Sequence, residues 1–207
     1  MNWLSENSQT VSALVSTGTL AVWMIYLHVF LRSFRQQNRA NILINLGGGH
    51  GLDARCLVTN MSANPIYIYA MKATLYRPDG PIRSAVTELD AVEEWQNPSD
   101  LQLWTRQGPL QPGGVRDMGA MRAIIDHVLR KRSEQATPPE QAGIESIEIQ
   151  VAAVFAPEEL LAAAARHFTV IAGSETLAIR ANTLGTKQIR SHRERREIER
   201  EIAQDLT

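Results

Sequence analysis

Cysteine and net charge are both scarce in this sequence, and each shortage excludes a class of protein. Cys56 is the single cysteine among 207 residues. The chain therefore cannot build an internal disulfide framework, a multi-cysteine metal site or an iron–sulfur cluster, and it fits a reducing compartment. The formal net charge is −1 at pH 7, so the chain lacks the overall basic character of a nucleic-acid-binding protein.

Motifs that carry catalysis are also missing from the sequence. No two of the five histidines have the H-x-x-x-H or H-E-x-x-H spacing of a metal site, and no G-x-S-x-G nucleophile elbow occurs. Asp126 precedes His127, but adjacent residues on a helix point about 100° apart and do not form a dyad. We therefore predict a non-enzymatic protein with no catalytic residue, cofactor or metal, and with no evident small-molecule substrate.

Four glycines surround His50 in the stretch NLGGGHGLD, at residues 45–53, and raise the question of a phosphate-binding loop. A dinucleotide fingerprint would need a third glycine where Leu52 stands. A P-loop would need Lys and then Ser or Thr where Leu52 and Asp53 follow. Alternating strands flank the stretch on both sides, and glycine readily adopts the positive φ of tight turns. We predict a hairpin turn.

The strongest positive signal is an uncharged apolar run at residues 11–31, VSALVSTGTLAVWMIYLHVFL. As a helix it would be roughly 30 Å long, the thickness of the hydrocarbon core of a bilayer. Arg32, Arg35 and Arg39 follow the run at once, whereas residues 1–10 contain only one charged residue, Glu6. The positive-inside rule then puts residues 1–10 on the non-cytoplasmic side and the rest of the chain in the cytoplasm.

We predict a retained transmembrane helix at residues 11–31 and a basic juxtamembrane linker at residues 32–40. A cleaved signal peptide would instead have basic residues before its apolar core and a small-residue cleavage site after it. A buried core helix of a soluble domain is the other alternative, and the arginines directly after the run disfavour it.

One face of this helix has a composition that favours packing against another helix. Ala13, Thr17 and Ala21 recur every four residues, and Met24 and His28 continue the same face. Small residues at that spacing let a second helix approach closely in a bilayer. We predict a partner helix, from a second copy of the chain or from another membrane protein. The alternative is that the hydroxyl side chains only bind their own backbone carbonyls.

His28 is a titratable imidazole within the predicted span. We expect it near the cytoplasmic headgroups, neutral or hydrogen-bonded to a neighbour, because a charged group deeper in the bilayer is costly. Ligation of a haem or a chlorin by this imidazole is an alternative that the sequence leaves open.

Beyond Ala40 the hydrophobic pattern alternates with a period of two, which is typical of strands that bury one face. The clearest strand candidates are residues 41–46, 52–59, 65–76 and 146–155, with shorter ones at 82–89, 101–106, 167–171 and 176–181. We predict a mainly β, immunoglobulin-like antiparallel sandwich over residues 41–182. Cys56 falls on the apolar side of its strand, so we interpret it as a small core residue.

Two peripheral helices are predicted beside the strands. Residues 118–129 have apolar side chains at helical spacing, and Asp117 is the candidate N-cap. A shorter helix is predicted from Pro157 into the alanines of APEELLAAAARHF, because proline suits a first helical position and alanine has the highest helix propensity.

The tail at residues 183–207 is predicted to be a charged helix. Ser191 and Glu194 have the spacing of a capping box, and Ile198, Ile202 and Leu206 form a thin apolar stripe. A helix of this kind docks weakly on its own domain or recruits a partner.

Basic residues mark the C-terminal end of the first peripheral helix, at Arg130, Lys131 and Arg132. This helix would cover an open end or a face of the sandwich. Alternatively it lies on the anionic inner leaflet, where each basic residue could add about 1 kcal/mol of binding. In that case these three residues and the juxtamembrane arginines form one membrane-surface set.

The stretch ILINLGGGHGLDARCLVTNMSANPIYI, taken with the preceding apolar run and the late TKQIRSHRERREIER, resembles a group of bacterial membrane proteins. Those proteins have one N-terminal span followed by a small soluble β domain, and no activity is attached to them. The resemblance implies a bacterial inner-membrane setting and transfers no site residue.

Together these features predict a membrane-anchored accessory, scaffold or adaptor protein. It would bind another membrane protein, or a second copy of itself, through its transmembrane helix and its cytoplasmic sandwich. The first alternative is a lipid-binding module at the inner leaflet. The second is an enzyme whose site is assembled from residues distant in sequence.

Overall fold

The computed structural model of the chain describes residues 8–37, 39–49, 51–86, 105–132, 138–155, 161–172 and 177–205. Two compact units are separated between residues 39 and 40: Met1–Arg39 and Ala40–Thr207.

The first unit contains one long helix, α1, Ser8–Gln37. The segment Gln9–Phe34 is long and apolar enough, by length and composition, to cross a membrane, and none of its most apolar window is buried within the protein. The predicted apolar helix is therefore present. It continues through Gln37, so residues 32–37, including Arg32 and Arg35, belong to the helix.

The described part of the second unit comprises ten strands and two further helices. In chain order the strands are β1 Ile42–Gly47, β2 Arg55–Asn60, β3 Ile66–Tyr76, β4 Ile82–Ala85, β5 Gly108–Leu110, β6 Val115–Ala120, β7 Ser146–Phe155, β8 Ala162–Ala172, β9 Leu177–Ala181 and β10 Lys187–Ile189. The helices are α2 Met121–Arg132 and α3 His192–Asp205, and single 3₁₀ turns occupy Gly51–Asp53 and Pro139–Gln141.

These strands form two sheets in which every described pairing is antiparallel. The small sheet has the order β1-β2-β6, and the large sheet has the order β10-β8-β7-β3-β4. In addition, β5 pairs with β3 and β9 pairs with β8. The prediction of a mainly β, antiparallel domain is confirmed.

The larger of the two described hydrophobic clusters lies between the buried faces of the two sheets. The small sheet contributes Ile42, Ile44 and Cys56, and the large sheet contributes alternate residues of β3, β7 and β8. The predicted apolar alternation is confirmed along β7, where the core face consists of Ile147, Ile149, Val151, Ala153 and Phe155. Helix α2 adds its apolar side to the same core with Met121, Ile124, Ile125, Val128 and Leu129. It covers the domain, as the first interpretation of this helix expected.

The glycine-rich stretch joins β1 to β2 as the predicted hairpin, with Gly47 opposite Arg55 in the register. Gly51 has a φ of 58°, and a Cβ placed there would lie 2.5 Å from the carbonyl oxygen of Leu177. A larger residue at this position would therefore combine an unfavourable backbone conformation with a collision against β9. His50 lies outside the described residues.

The predicted start of the first peripheral helix was wrong. Asp117 does not cap a helix but lies in β6, opposite Leu57 of β2. Its carboxylate is ion-paired with Arg55 and accepts a hydrogen bond from the N–H of Gly119 at 2.8 Å. Gly119, with a φ of 100°, lies where the pairing of β6 with β2 shifts register, and α2 begins at Met121, directly after the last strand residue. Pairing with β2 decides the structure here, and the helical spacing begins only after it.

The alanine-rich stretch was also predicted incorrectly as a helix. From Ala162 onward it forms β8, paired with β7 and β10. Ala162 and Ala164 face the core, whereas Ala163 and Ala165 lie on the outer face, under α3. Because both faces of this strand are covered, small apolar residues are needed on both, and the tertiary packing overrides the helix propensity of alanine. Pro157, where that helix was predicted to begin, is outside the described residues.

Other boundaries differ from those predicted. The strand predicted at residues 82–89 is described only as β4, and residues 87–89 lie outside the described part of the chain. Of the strand predicted at residues 101–106, only Thr105 and Arg106 are described. The tail segment begins with β10 before α3 starts at His192.

Side chains close the gap between the two sheets along the outer edge of β1. Gln188 of β10 donates from Nε2 to the carbonyl of Ile42 at 2.6 Å and accepts the N–H of the same residue at 3.1 Å. Thr186 accepts the N–H of Ile44 at 2.8 Å. The polar backbone groups of this edge are thereby satisfied without a further strand, which removes an exposed pairing edge.

Arginine side chains bridge the two sheets at the other edge of the small sheet, which is formed by β6. Arg106 donates from Nε to the carbonyl of Met118 at 2.5 Å and from Nη1 to the carbonyl of Val86 at 2.8 Å. Arg116 of β6 donates to the carbonyls of Gln107 and Pro109, next to and within β5. Both edge strands of the small sheet, β1 and β6, are thus linked to the large sheet by side-chain hydrogen bonds.

Candidate functional site

The predicted helix-packing residues lie together on α1. Ala13, Thr17, Ala21, Met24 and His28 are all exposed, and their spacing puts them on one side of the helix. The Oγ1 of Thr17 donates a hydrogen bond to the carbonyl of Ala13 at 2.8 Å, as the alternative interpretation expected. Because the hydroxyl of Thr17 bonds to the backbone of α1 itself, the small residues of the stripe stay accessible to a second helix.

The predicted membrane-surface residues fall into two groups. Arg32, Arg35 and Arg39 belong to the first unit. Arg130, Lys131 and Arg132 end α2 in the second unit, and the side chains of Arg130 and Lys131 are exposed. The apolar side of α2 is buried in the domain core. Any contact of α2 with lipid would therefore use only its charged side.

A cavity of about 230 Å³ lies on the outer face of the large sheet, between α2 and the C-terminal half of α3. The sheet provides its floor through β3, β7 and the end of β4. Its walls come from the two helices and from the segment that leads into β5. The lining residues are Tyr69, Ala70, Met71, Lys72, Ala85, Gln107, His127, Lys131, Gln150, Ala152, Ile198, Glu201 and Ile202.

Small residues explain why there is space beneath α3. Ala70 of β3 and Ala152 of β7 are register partners, next to a β-bulge between Ile68 and Ala70. Helix α3 packs its buried Ile198 into a small cluster with Ala152, Ala163 and Ala165. The predicted stripe of the tail thus docks on the chain's own domain. Leu206, the last residue of that stripe, is outside the described residues.

The cavity wall carries both signs of charge. The ammonium group of Lys72 forms an ion pair with the carboxylate of Glu201, and these side chains are 21% and 36% exposed. Lys131 adds a second cation, so the described lining residues comprise two lysines and one glutamate, with one net positive charge when His127 is neutral. Nε2 of His127 lies 3.1 Å from the carbonyl oxygen of Ala85. Two of the chain's three lysines therefore line this one cavity.

The thiol of Cys56 is unsuited to nucleophilic chemistry. Its side chain is 0% exposed in the core between the sheets, away from the cavity lining. Burial raises the pKa of this thiol from 9.0 to about 12, although the positive charges of Arg106 and Arg166 act in the opposite direction. The thiolate, which is the reactive form, is therefore essentially unpopulated at neutral pH.

Asp126, the neighbour of His127, also responds to its surroundings. Partial burial raises the pKa of its carboxyl group, while Arg130 and Arg122 oppose this shift. Its position next to His127 on α2 is the one that the sequence predicted. The two side chains leave the helix in different directions because consecutive residues on a helix do not share a face.

A second polar cluster lies elsewhere on the outer face of the large sheet. Glu148 of β7 accepts a hydrogen bond from the hydroxyl of Tyr76 at 2.8 Å, and Nε2 of His167 is 3.3 Å from the same carboxylate oxygen. Burial and this hydrogen bond raise the pKa of Tyr76. Within the described part of the chain, no group of three His, Cys, Asp or Glu side chains could hold a metal ion.

The cavity was not predicted from the sequence, although two features of its walls were noted there, Lys131 and the apolar stripe of the tail. Lys131 was predicted as a membrane-surface residue, and the structure shows that it also lines the cavity. The apolar stripe of the tail predicted a docking face but not its location. Lys72 carries no distinctive motif, because it is one outward-facing polar residue in an alternating strand.

Comparisons of the chain with protein-family models, with curated proteins and with solved structures find no match.

Proposed function

We propose that this chain is a single-span membrane protein that acts as an accessory, scaffold or adaptor subunit and is not an enzyme. The observation that carries the proposal is α1, whose apolar segment Gln9–Phe34 leaves its side chains unburied. A helix of this length and composition is stabilised by a bilayer, because lipid takes the place of a protein core around it. The arginines that follow favour a cytoplasmic second unit and an N-terminus on the other side.

The proposed setting is the bacterial inner membrane, which rests on the resemblance of the sequence to single-span bacterial proteins. The second unit is proposed to be an immunoglobulin-like sandwich that presents a binding surface to a partner in the cytoplasm. Two antiparallel sheets around one core support the sandwich, and the exposed position of Tyr67 beside Val154 gives its outer face an apolar contact area.

The partner in the membrane is proposed to pack on the stripe of Ala13, Thr17 and Ala21. Lipid tails are as apolar as leucine, so association of helices depends on close packing, and small residues allow it. The partner is another membrane protein or a second copy of the chain, and both would use the same stripe.

Thr17 and Thr19 provide a matched pair for testing this stripe. Both are threonines on α1, and each donates its hydroxyl to the carbonyl four residues earlier at 2.8 Å. Their side chains point about 160° apart around the helix axis, since they are two residues apart. Thr17→Leu should reduce association in mild detergent about tenfold, by filling the close contact, whereas Thr19→Leu should leave it unchanged.

The measurement is cross-linking followed by identification of the chains that co-purify with each variant. Equal loss in both variants, or no loss in Thr17→Leu, would contradict the proposed stripe. A reporter enzyme fused to the C-terminus tests orientation separately. It should be active only in the cytoplasm, and periplasmic activity would reverse the assigned topology.

A further inference from the structure

The geometry points to a ligand site in the cavity beneath α3: it would bind a small amphipathic anion, a carboxylate with a short apolar body. This site is independent of the proposed membrane anchor, because all of its lining residues belong to the second unit.

The size of the cavity restricts the ligand. Pockets that take drug-sized molecules measure roughly 300–1,000 Å³, and this one is about 230 Å³. Helix α3 lies over the sheet on one side and α2 stands on the other, so a long acyl chain or a folded peptide does not fit inside. A short-chain acid does.

The lining has an apolar part and a charged part, which match the two ends of such a molecule. Ala70, Ala152 and Ile202 provide an apolar surface on the floor and on the side of α3. Lys72 and Lys131 approach from β3 and α2, and each supplies an ammonium group that can donate to a carboxylate. An apolar body against the alanines with its carboxylate towards the lysines satisfies both parts of the wall.

The charges of the lining favour an anionic head group, although Lys72 already forms an ion pair with Glu201. Glu201 is the one acidic side chain among the described lining residues, and it comes from α3. A ligand carboxylate would compete with Glu201 for Lys72, and the ammonium group of Lys131 would attract it as well. An amine with the same body would be repelled by two ammonium groups and attracted by one carboxylate, and an alcohol would carry no charge to strengthen its hydrogen bonds to the lysines.

The composition of the chain permits a direct test. Only Lys72, Lys131 and Lys187 can be dimethylated with ¹³C on a side-chain amine, and dimethylation keeps their positive charge. The full chain in neutral phosphatidylcholine nanodiscs would then give three side-chain signals. Lys187 lies outside the cavity, where its ammonium group is 4.0 Å from Glu194, and it serves as the internal control.

Hexanoate, hexanol and hexylamine are the probes, since they share one apolar body and differ in the head group. Hexanoate should shift the signals of Lys72 and Lys131 to saturation and leave that of Lys187 in place. Hexanol should bind at least fivefold more weakly, and hexylamine should give no saturable shift. Equal responses to hexanoate and hexanol, or parallel movement of all three lysines, would overturn the site and indicate partitioning into the lipid.

Variants separate charge from folding. Lys131→Gln should weaken hexanoate binding about fivefold, Lys131→Arg should retain it, and Lys187→Gln should not change it. Glu201→Gln should strengthen binding, because Lys72 then loses its competing partner. Weaker binding in Glu201→Gln, or an equal loss in the Lys131→Gln and Lys187→Gln variants, would refute the proposal. Neither result would bear on the anchor, since no residue of α1 is altered.

Discussion

Arg166 places a guanidinium group inside the domain, where it is 5% exposed and has no acidic partner among the described residues. Burial lowers the pKa of this arginine. Its donors reach the carbonyl of Ile44 and, at 2.8 Å, the carbonyl of Thr183, and its charge lies 5.7 Å from the centre of the Phe168 ring. Backbone carbonyls and an aromatic face thus offset part of the desolvation cost, and in return β8 is joined to β1.

Burial of Cys56 should have a measurable effect on the free energy of unfolding in alkaline solution. Its thiol has a pKa of about 12 in the folded protein, against 9.0 without burial. Between these two values the unfolded chain has lost the proton that the folded chain keeps. The free energy of unfolding should therefore fall as pH rises above 9, by about 1.4 kcal/mol per pH unit from this group, and the fall should end near pH 12.

The comparison of wild type with Cys56→Ala isolates this contribution, because lysines and tyrosines titrate in both proteins. Urea unfolding at pH 8, 9, 10 and 11 should show wild type losing stability faster than the variant above pH 9, with parallel behaviour below it. Identical pH profiles would show that the folded thiol ionises as freely as the unfolded one. Alkylation of the native protein at pH 7.5 should be slow and should become fast only when urea unfolds it.

The contact between α3 and β8 shows how the elements depend on one another. Ala163 and Ala165 are buried on the outer face, and Ile198 of α3 packs into the same cluster. Around this contact, Glu199 accepts the N–H of Leu161 at 3.0 Å, and Nε of Arg195 donates to the carbonyl of Ile189 at 2.9 Å. The helix is therefore held by a small apolar contact and a few polar ones, and the alanines decide how closely it approaches.

Ala165→Leu should displace α3 without dissolving the sheet. The larger side chain overfills the space under the helix, which typically costs about 1–3 kcal/mol. Amide hydrogen exchange should show lost protection at residues 192–205, with β3 and β7 still protected. Ala178→Leu is the matched control, since Ala178 lies on β9 of the same sheet with an exposed side chain, and it should leave α3 protected. Full protection of α3 in Ala165→Leu would contradict the described packing.

The elements that could be predicted from the sequence are those whose own residues show a clear hydrophobic periodicity. Strands β3 and β7 are long and bury one face, so their alternation alone locates them to within about one residue. Strands β5 and β6 escaped prediction for a physical reason. β5 has three residues, too few for its alternation to be recognised, and β6 buries only Met118, so it shows no alternating face. The strand predicted at residues 167–171 is confirmed as the second half of β8, whereas the first half buries both faces with alanine and has no period from which it can be recognised.

The cavity could not be predicted, because it depends on contacts between distant parts of the chain. Lys72 and Glu201 are separated by 129 positions. Their pairing requires α3 to cross the large sheet, and that placement follows from the alanines of β7 and β8, which sequence reasoning assigned in part to a helix. That the stripe residues share one side of α1 was predictable, because all of them lie within one helix and their period is visible directly in the sequence.

At the scale of the whole molecule, the boundary between the two units has a simple physical basis. The core of the second unit begins at Ala40, and its described members all come from residue 40 onward. The segment Gln9–Phe34 of α1 is instead long and apolar enough to cross a membrane. If α1 is the membrane anchor proposed above, the two units obtain their stability from different sources, burial between two sheets in one case and the hydrocarbon of a bilayer in the other.

Removal of residues 1–39 should accordingly give a folded, water-soluble domain. The truncated chain loses no described core residue, so its thermal midpoint should lie within a few degrees of that of the full chain in nanodiscs, and its far-ultraviolet circular dichroism should show a predominantly β signal. Sedimentation should find it in the soluble fraction, whereas the full chain should stay in the membrane fraction after alkaline carbonate washing. An insoluble or molten truncated chain would mean that the second unit needs α1 for its folding, and a full chain released by carbonate would mean that α1 does not cross the bilayer.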